Sequence, residues 1–170
     1  RSLLSEGEPD HGRMDRNPAL AATGVLAAAV SLASVLLATM VSPSFEWAGN
    51  ALSNLGVAST NAGTATTALL FNGGLLLGAL LGLVFAYFLW IEAESRGKRA
   101  VAGLLALTLL AMGLVGVFPQ GTSPHFPLSV AFFVLITVTI WADAVAVRNT
   151  DEGRRGAIAA WLGATNVAAW

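Results

Sequence analysis

The chain has 170 residues, of which 55% are hydrophobic and only 11% charged, and its formal net charge at pH 7 is −1. Soluble domains carry about 25% charged residues, so the composition argues against a soluble protein, and the absence of excess basic charge argues against a nucleic-acid partner. The lack of cysteine excludes disulfides, thiolate metal sites and cysteine nucleophiles.

Long apolar runs predict membrane-spanning helices, because a span needs about 20 mostly apolar residues. Four runs cover residues 18–41, 66–91, 100–118 and 126–147, and a fifth begins near residue 156. The runs are continuous rather than alternating, which argues against a β-barrel. We therefore predict an all-α, polytopic transmembrane helical bundle with five visible spans. It forms one domain over residues 18–170, after a polar, disordered tail at residues 1–17.

The basic residues predict the orientation in the membrane. They fall into three groups of three, which are Arg1, Arg13 and Arg16; Arg96, Lys98 and Arg99; and Arg148, Arg154 and Arg155. The connections at residues 42–65 and 118–125 contain no basic residue. Because cytoplasmic loops hold the excess of Lys and Arg, we predict a multi-pass protein of the plasma membrane with a cytoplasmic N-terminus.

Both ends of the chain suggest a longer natural protein. Met14 stands just before the first run and would make a natural start. The 14 residues from Ala157 to Trp170 are too few to cross about 30 Å of hydrocarbon. We expect the natural protein to continue through a sixth helix.

The first outer segment, residues 42–56, reads as a short amphipathic helix at the outer membrane surface. One face carries the polar residues Glu46, Asn50, Ser53 and Asn54, and the adjacent face carries the apolar residues Trp47, Ala51 and Leu55. Ser42 is expected to cap this helix, with Pro43 in its first turn and Gly56 as its stop.

Helix 2 carries Gly74, Gly78 and Gly82 at intervals of four, with Asn72 near its outer end. Such a stripe of small residues lets another helix approach closely. We interpret it as packing within the chain, with dimerisation through this face as the alternative. Asn72 is interpreted as interhelical glue that also lies beneath the outer polar cluster.

The second outer loop is a tight turn that leads to His125, and helix 4 ends with Asp143 and Arg148. Loop parity places the polar residues of both outer connections together, so any pocket with chemistry is expected to open to the outer leaflet. Asp143 lies about one turn from the inner end, and a snorkelling or ion-paired aspartate is expected there.

Two functions remain open for this outer cluster. The first is binding of a lipid or other amphiphile, or of a partner membrane protein, through Asn50, Asn54, Asn72, Thr122 and Ser123. The second is an intramembrane lipid-active hydrolase in which His125 works with Glu46 or Ser53. A metal site is disfavoured because catalytic zinc needs three protein ligands, and no cofactor is expected. Transport is disfavoured because no charged residue lies near the membrane midplane.

Several motifs resemble those of a known family. They are Asn50-Ala-Leu-Ser-Asn-Leu-Gly56, Phe71-Asn-Gly-Gly-Leu-Leu-Leu-Gly78, Val115-Gly-Val-Phe-Pro-Gln-Gly121, His125 and Ala131-Phe-Phe133. The chain is similar, over residues 20–147, to the prokaryotic and mostly archaeal membrane proteins called domain of unknown function nine hundred and ninety-eight. The resemblance implies about six transmembrane helices and no established activity. Asn54 departs from the family pattern, in which an aspartate is expected.

Overall fold

A computed structural model of the chain describes residues 18–148 and 153–168, and the regular structure in these ranges is helical. The predicted tail at residues 1–17 lies outside them. The five α-helices are α1 (Pro18–Val41), α2 (Ala65–Ile91), α3 (Arg96–Val117), α4 (His125–Val147) and α5 (Gly153–Ala168). A short 3-10 helix, Leu52–Gly56, lies between α1 and α2.

Four of these helices, α1 to α4, are long and apolar enough to cross a membrane, which confirms four of the long apolar helices predicted from the sequence. The shortest of the four, α3, has 22 residues, or about 33 Å at 1.5 Å per residue. The predicted fifth run forms α5, which has 16 residues and falls short of the roughly 20 that a span needs. A complete fifth span therefore stays a prediction.

Side-chain caps set the first residues of α2 and of α3. The hydroxyl of Thr64 accepts a hydrogen bond from the N–H of Thr67, whose own hydroxyl accepts from the N–H of Thr64, and α2 starts there. Ser95 accepts from the N–H of Lys98 in the same way. This cap starts α3 four residues before the apolar run and brings its basic residues into the first turn.

The helices pack in chain order and run antiparallel to their neighbours. A methyl group at Gly74 would overlap the Cβ of Ser34, and one at Gly78 would overlap the hydroxyl of Ser31, so both glycines lie against α1. A methyl group at Gly82 would instead lie 2.7 Å from a Cδ atom of Leu109 in α3. The glycine stripe therefore divides between two neighbours, and α2 lies between α1 and α3.

The amphipathic helix predicted for residues 42–56 is wrong. The segment makes one turn, in which Gly49 and Asn50 donate to the carbonyl of Glu46, and then extends at Ala51 before the 3-10 helix. The reason lies in the asparagines, whose side chains compete with helical hydrogen bonding. Asn50 Oδ1 accepts from the N–H of Glu46 and Asn54 Oδ1 from the N–H of Ala51, each at 2.8 Å.

The predicted helix faces and caps change with it. Leu55 is fully buried while Trp47 is 69% exposed, so the two do not share an apolar face. Ser42 does not cap a helix, since its hydroxyl donates to the carbonyl of Ala62 at 2.6 Å. Gly56 does end a helix, the 3-10 one.

Side-chain polar contacts join the later helices, and one of them runs from the Thr137 hydroxyl of α4 to Asn166 Oδ1 of α5 at 2.8 Å. The buried hydroxyls of Thr108 in α3 and Thr139 in α4 lie 3.1 Å apart. On α5, the guanidinium of Arg155 donates to both carboxylate oxygens of Asp143, at 2.8 and 3.0 Å. The expectation of an ion-paired Asp143 is confirmed, with Arg155 as its partner.

Candidate functional site

The connection from α1 to α2, residues 42–64, folds over the ends of these two helices that the sequence predicts to face outward, and we call it the outer cap. Its anchor is Leu55, which has no exposed surface and packs in one cluster with Ala38 of α1, Ala62 of the outer cap and Phe71 of α2. Phe45 packs against the same cluster. The outer cap is thus held by apolar burial as well as by hydrogen bonds.

Five side chains among the described residues donate hydrogen bonds to backbone carbonyls of the outer cap. The hydroxyls of Ser42, Ser44 and Thr60 donate to the carbonyls of Ala62, Asn61 and Asn54, and the Thr67 hydroxyl and the Asn72 amide of α2 donate to carbonyls of the 3-10 helix. The Thr67 hydroxyl lies 2.9 Å from the carbonyl oxygen of Leu55, and Asn72 Nδ2 lies 2.8 Å from that of Gly56. Irregular backbone near hydrocarbon needs such internal partners, because unpaired polar groups there cost several kcal/mol.

The two outer connections are joined by a side-chain hydrogen bond. Asn54 Nδ2 donates to Gln120 Oε1 at 3.0 Å, while Asn54 Oδ1 accepts from the N–H of Ala51. The amide therefore uses both its donor and its acceptor. An ionised aspartate at this position could only accept, so the contact would then need the Gln120 amide to turn and donate through Nε2.

The second outer connection, residues 118–124, is a tight turn, as predicted. Gly121 adopts a φ of 93°, a conformation that favours glycine. The hydroxyl and the N–H of Thr122 both donate to the carbonyl of Pro119, at 2.8 and 3.1 Å. Thr122 and Ser123 are exposed at the tip of this turn.

His125 is the first residue of α4, and its side chain bonds back to the start of this turn. Its Nδ1 lies 2.8 Å from the carbonyl oxygen of Phe118. A carbonyl only accepts, so Nδ1 carries the proton, and Nε2 is left as the acceptor for the Ser129 hydroxyl at 3.4 Å. His125 thus orders the turn that presents Gln120 to Asn54.

The hydrolase hypothesis requires Glu46 or Ser53 within hydrogen-bond reach of His125, and the structure does not bring them together. In residues 18–148 and 153–168, the side-chain hydrogen bonds of His125 are those to Phe118 and Ser129. Ser53 is half-buried in the 3-10 helix, and Glu46 is exposed. The catalytic roles of these three residues stay predictions without geometric support.

Glu46 is the single charged residue within residues 42–64 and 118–124. Its backbone N–H bonds to Asn50, and its side chain is exposed beside Trp47. The Trp47 ring meets Phe45 edge-on, with 5.3 Å between the ring centroids. The outer cap therefore presents one carboxylate, that of Glu46, next to one exposed aromatic ring, that of Trp47.

Asn72 lies where α2, α3 and the outer cap meet. A methyl group at Gly56 would lie 2.7 Å from Asn72 Oδ1, and one at Gly116 of α3 would lie 2.7 Å from the Asn72 carbonyl oxygen. Asn72 Oδ1 is buried and has no hydrogen-bond partner among the described residues. A side chain at residue 56 would therefore collide with this oxygen.

Comparison with known proteins gives one finding. The family model described as protein of unknown function (DUF998) matches residues 25–170. The chain belongs to this family. No curated protein and no solved structure matches it. The match confirms the family resemblance seen in the motifs, and membership in DUF998 carries no activity with it.

Sequence reasoning selected Asn54, Asn72 and His125 as members of one outer site, and the structure connects them through the 3-10 helix and Gln120. It did not select Thr60 and Thr67, whose hydroxyls bond to carbonyls of the same segment. A Thr-x-x-Thr spacing at residues 64–67, which resembles a capping box, is a signal for Thr67, and the sequence offers none for Thr60. Among the described residues, no three His, Asp or Glu side chains cluster as a metal site would require.

Proposed function

We propose that this DUF998 protein is a non-catalytic, multi-pass binding protein of a prokaryotic, archaeal-type plasma membrane, with its N-terminus in the cytoplasm. Four membrane-capable helices support the membrane location, and the grouping of basic residues supports the orientation. In this orientation the outer cap and the 118–124 turn face outward.

The proposed ligand is an amphiphile with an ammonium headgroup, bound at the outer surface. The observation that carries the proposal is Glu46, the one charge on this surface, exposed beside Trp47. A carboxylate attracts cations, and the face of a tryptophan ring does so as well. A lipid ammonium at the membrane interface meets both groups without leaving the headgroup region.

The rigidity of the base favours binding. The outer cap is bonded to α2 through Thr67 and Asn72 and to the 118–124 turn through Gln120. A surface that is ordered before binding loses less conformational entropy on binding. Thr122 and Ser123, exposed on the adjoining turn, are available to the phosphate or glycerol oxygens of the same headgroup.

The test is binding of short-chain phosphatidylethanolamine to the purified full chain in detergent, measured by native mass spectrometry. We expect Glu46→Gln to weaken binding about two- to five-fold, because an exposed charge pair contributes roughly 0.2–1 kcal/mol. Ser59→Ala, also on the exposed outer cap, is the matched control and should bind as the unmodified chain does.

Phosphatidylglycerol of the same chain length supplies the contrast, since it lacks the ammonium group. Equal binding of the two lipids, with no effect of Glu46→Gln, would contradict the proposal. The outer surface would then be assigned to a partner membrane protein instead.

A further inference from the structure

A second candidate site lies at the opposite end of the molecule from the outer cap. A cleft of about 320 Å³ opens between α4 and α5, next to the inner ends of both helices. Its walls are small and apolar, formed mainly by Ala144 and Val145 of α4 and by Ala157 and Ala160 of α5. Arg148, the residue that follows α4, is the one charged side chain that lines it.

The cleft results from how α4 and α5 meet. Gly156 brings the helices together, since a methyl group there would lie 3.0 Å from the carbonyl oxygen of Ala144 and 3.1 Å from Val147 Cγ2. Beside this contact, Ala157 and Ala160 project toward the open flank and are too small to fill it. The result is a narrow apolar groove along the helix pair that remains open to the surroundings.

The charges at this end of the helix pair are arranged asymmetrically. Arg155 binds the carboxylate of Asp143 through two short contacts. Arg148 lines the cleft and is exposed. Among residues 18–148 and 153–168 its guanidinium has no ion-pair or hydrogen-bond partner. A guanidinium presents paired N–H donors that suit a phosphate group.

We propose that this cleft binds a phospholipid of the inner leaflet, with an acyl chain along Ala144, Ala157 and Ala160 and the phosphate on Arg148. The apolar walls exclude a free anion as the preferred ligand, and the cation at the mouth distinguishes the site from a plain lipid-facing surface. Basic pockets between transmembrane helices on the cytoplasmic side bind lipid headgroups in this way. This site is independent of the outer surface and of its proposed ligand.

The experiment uses the delipidated full chain in detergent, titrated with phosphatidylglycerol and followed by native mass spectrometry. Arg148→Gln should weaken binding of the tightest lipid about tenfold, the loss expected for one charge-assisted phosphate contact. Ala160→Phe, which fills the groove while Arg148 stays in place, should also lower lipid occupancy. Arg154→Gln is the matched control, because Arg154 is exposed on α5 but does not line the cleft.

Two further measurements show whether lower lipid binding comes from the lost charge, from misfolding or from the headgroup alone. Arg148→Lys keeps the charge but loses the paired donors, so it should bind lipid more tightly than Arg148→Gln and less tightly than the unmodified chain. A variant that misfolds would also lose helical circular dichroism. Glycerol phosphate, which has the headgroup chemistry without acyl chains, should not displace the lipid. Equal losses in Arg148→Gln and Arg154→Gln would overturn the proposal, since they would indicate general attraction to basic charge. Full displacement by glycerol phosphate would overturn the acyl-chain part and leave an anion site.

Discussion

Asn72 is the residue whose side chain most directly joins the outer cap to the membrane-spanning helices. Its Nδ2 donates to the carbonyl of Gly56 at 2.8 Å, in a region where water has little access. We expect Asn72→Ala to lower the free energy of unfolding by about 1 kcal/mol, because the Gly56 carbonyl loses its partner. Thermal unfolding of the purified protein in detergent measures this loss.

The matched control for this prediction is Asn61→Ala. Asn61 also lies next to α2, but its side chain is exposed and makes no side-chain hydrogen bond in the described part of the chain. It should unfold at the temperature of the unmodified protein. Equal stability of the two variants would show that the Asn72 amide does not hold the outer cap.

At this scale the sequence predicts which residues are polar and outward, but not which atoms they bond. Asn54 and Asn72 were both expected near the outer surface, since loop parity depends only on the number of spans. Their partners, Gln120 and the Gly56 carbonyl, depend on how residues 42–64 turn. Residues 42–64 show neither helical nor strand periodicity along their whole length, so the spacing of polar residues does not predict which hydroxyl and amide groups bond across them.

Among the elements, the contact between α1 and α2 gives the sharpest prediction. A methyl group at Gly74 would overlap the Cβ of Ser34, an atom that cannot move without the backbone. The neighbouring Gly73 has open space, with the nearest atom 4.0 Å away on its own helix. We expect Gly74→Ala to destabilise the protein by about 1–3 kcal/mol and Gly73→Ala to cause no loss. Unfolding by denaturant in mixed micelles compares the two.

A second substitution tests whether the overlap itself is the cause. Ser34→Gly removes the Cβ that the new methyl group would meet, so combining it with Gly74→Ala should restore part of the lost stability. A double variant that is as unstable as the sum of the single variants would exclude direct contact between these residues.

Element prediction succeeds where one physical signal dominates. The bounds of α1, α2 and α4 follow the apolar runs within one residue, because the membrane requires uninterrupted hydrophobic length. Residues 42–56 carry a helical polar pattern as well, yet Asn50 and Asn54 use their side chains on the backbone N–H groups that helix formation would need. The helical spacing of polar residues does not reveal that asparagine side chains compete for these N–H groups.

For the whole molecule, the distribution of charge separates two surfaces with different chemistry. The two outer connections hold a single charged residue, Glu46. Several of their uncharged polar side chains are hydrogen-bonded within the protein. The opposite ends carry six basic residues, Arg96, Lys98, Arg99, Arg148, Arg154 and Arg155, together with five acidic ones, Glu92, Glu94, Asp143, Asp151 and Glu152. A carboxylate on the outer face suits ammonium headgroups, and the exposed guanidinium of Arg148 suits phosphate, so both proposed ligands are molecules that a bilayer supplies.

The orientation on which this division rests is directly testable, because the chain contains no cysteine. Ser59, in the outer cap, and Glu92, which follows α2, are both exposed and lie beyond opposite ends of α2. We expect a membrane-impermeant maleimide to label Ser59→Cys in intact cells and to label Glu92→Cys only after the membrane is opened. Ser123→Cys, on the second outer turn, should behave as Ser59→Cys does. The reverse pattern would place the N-terminus outside, and labelling of all three in intact cells would show that α2 does not span the membrane.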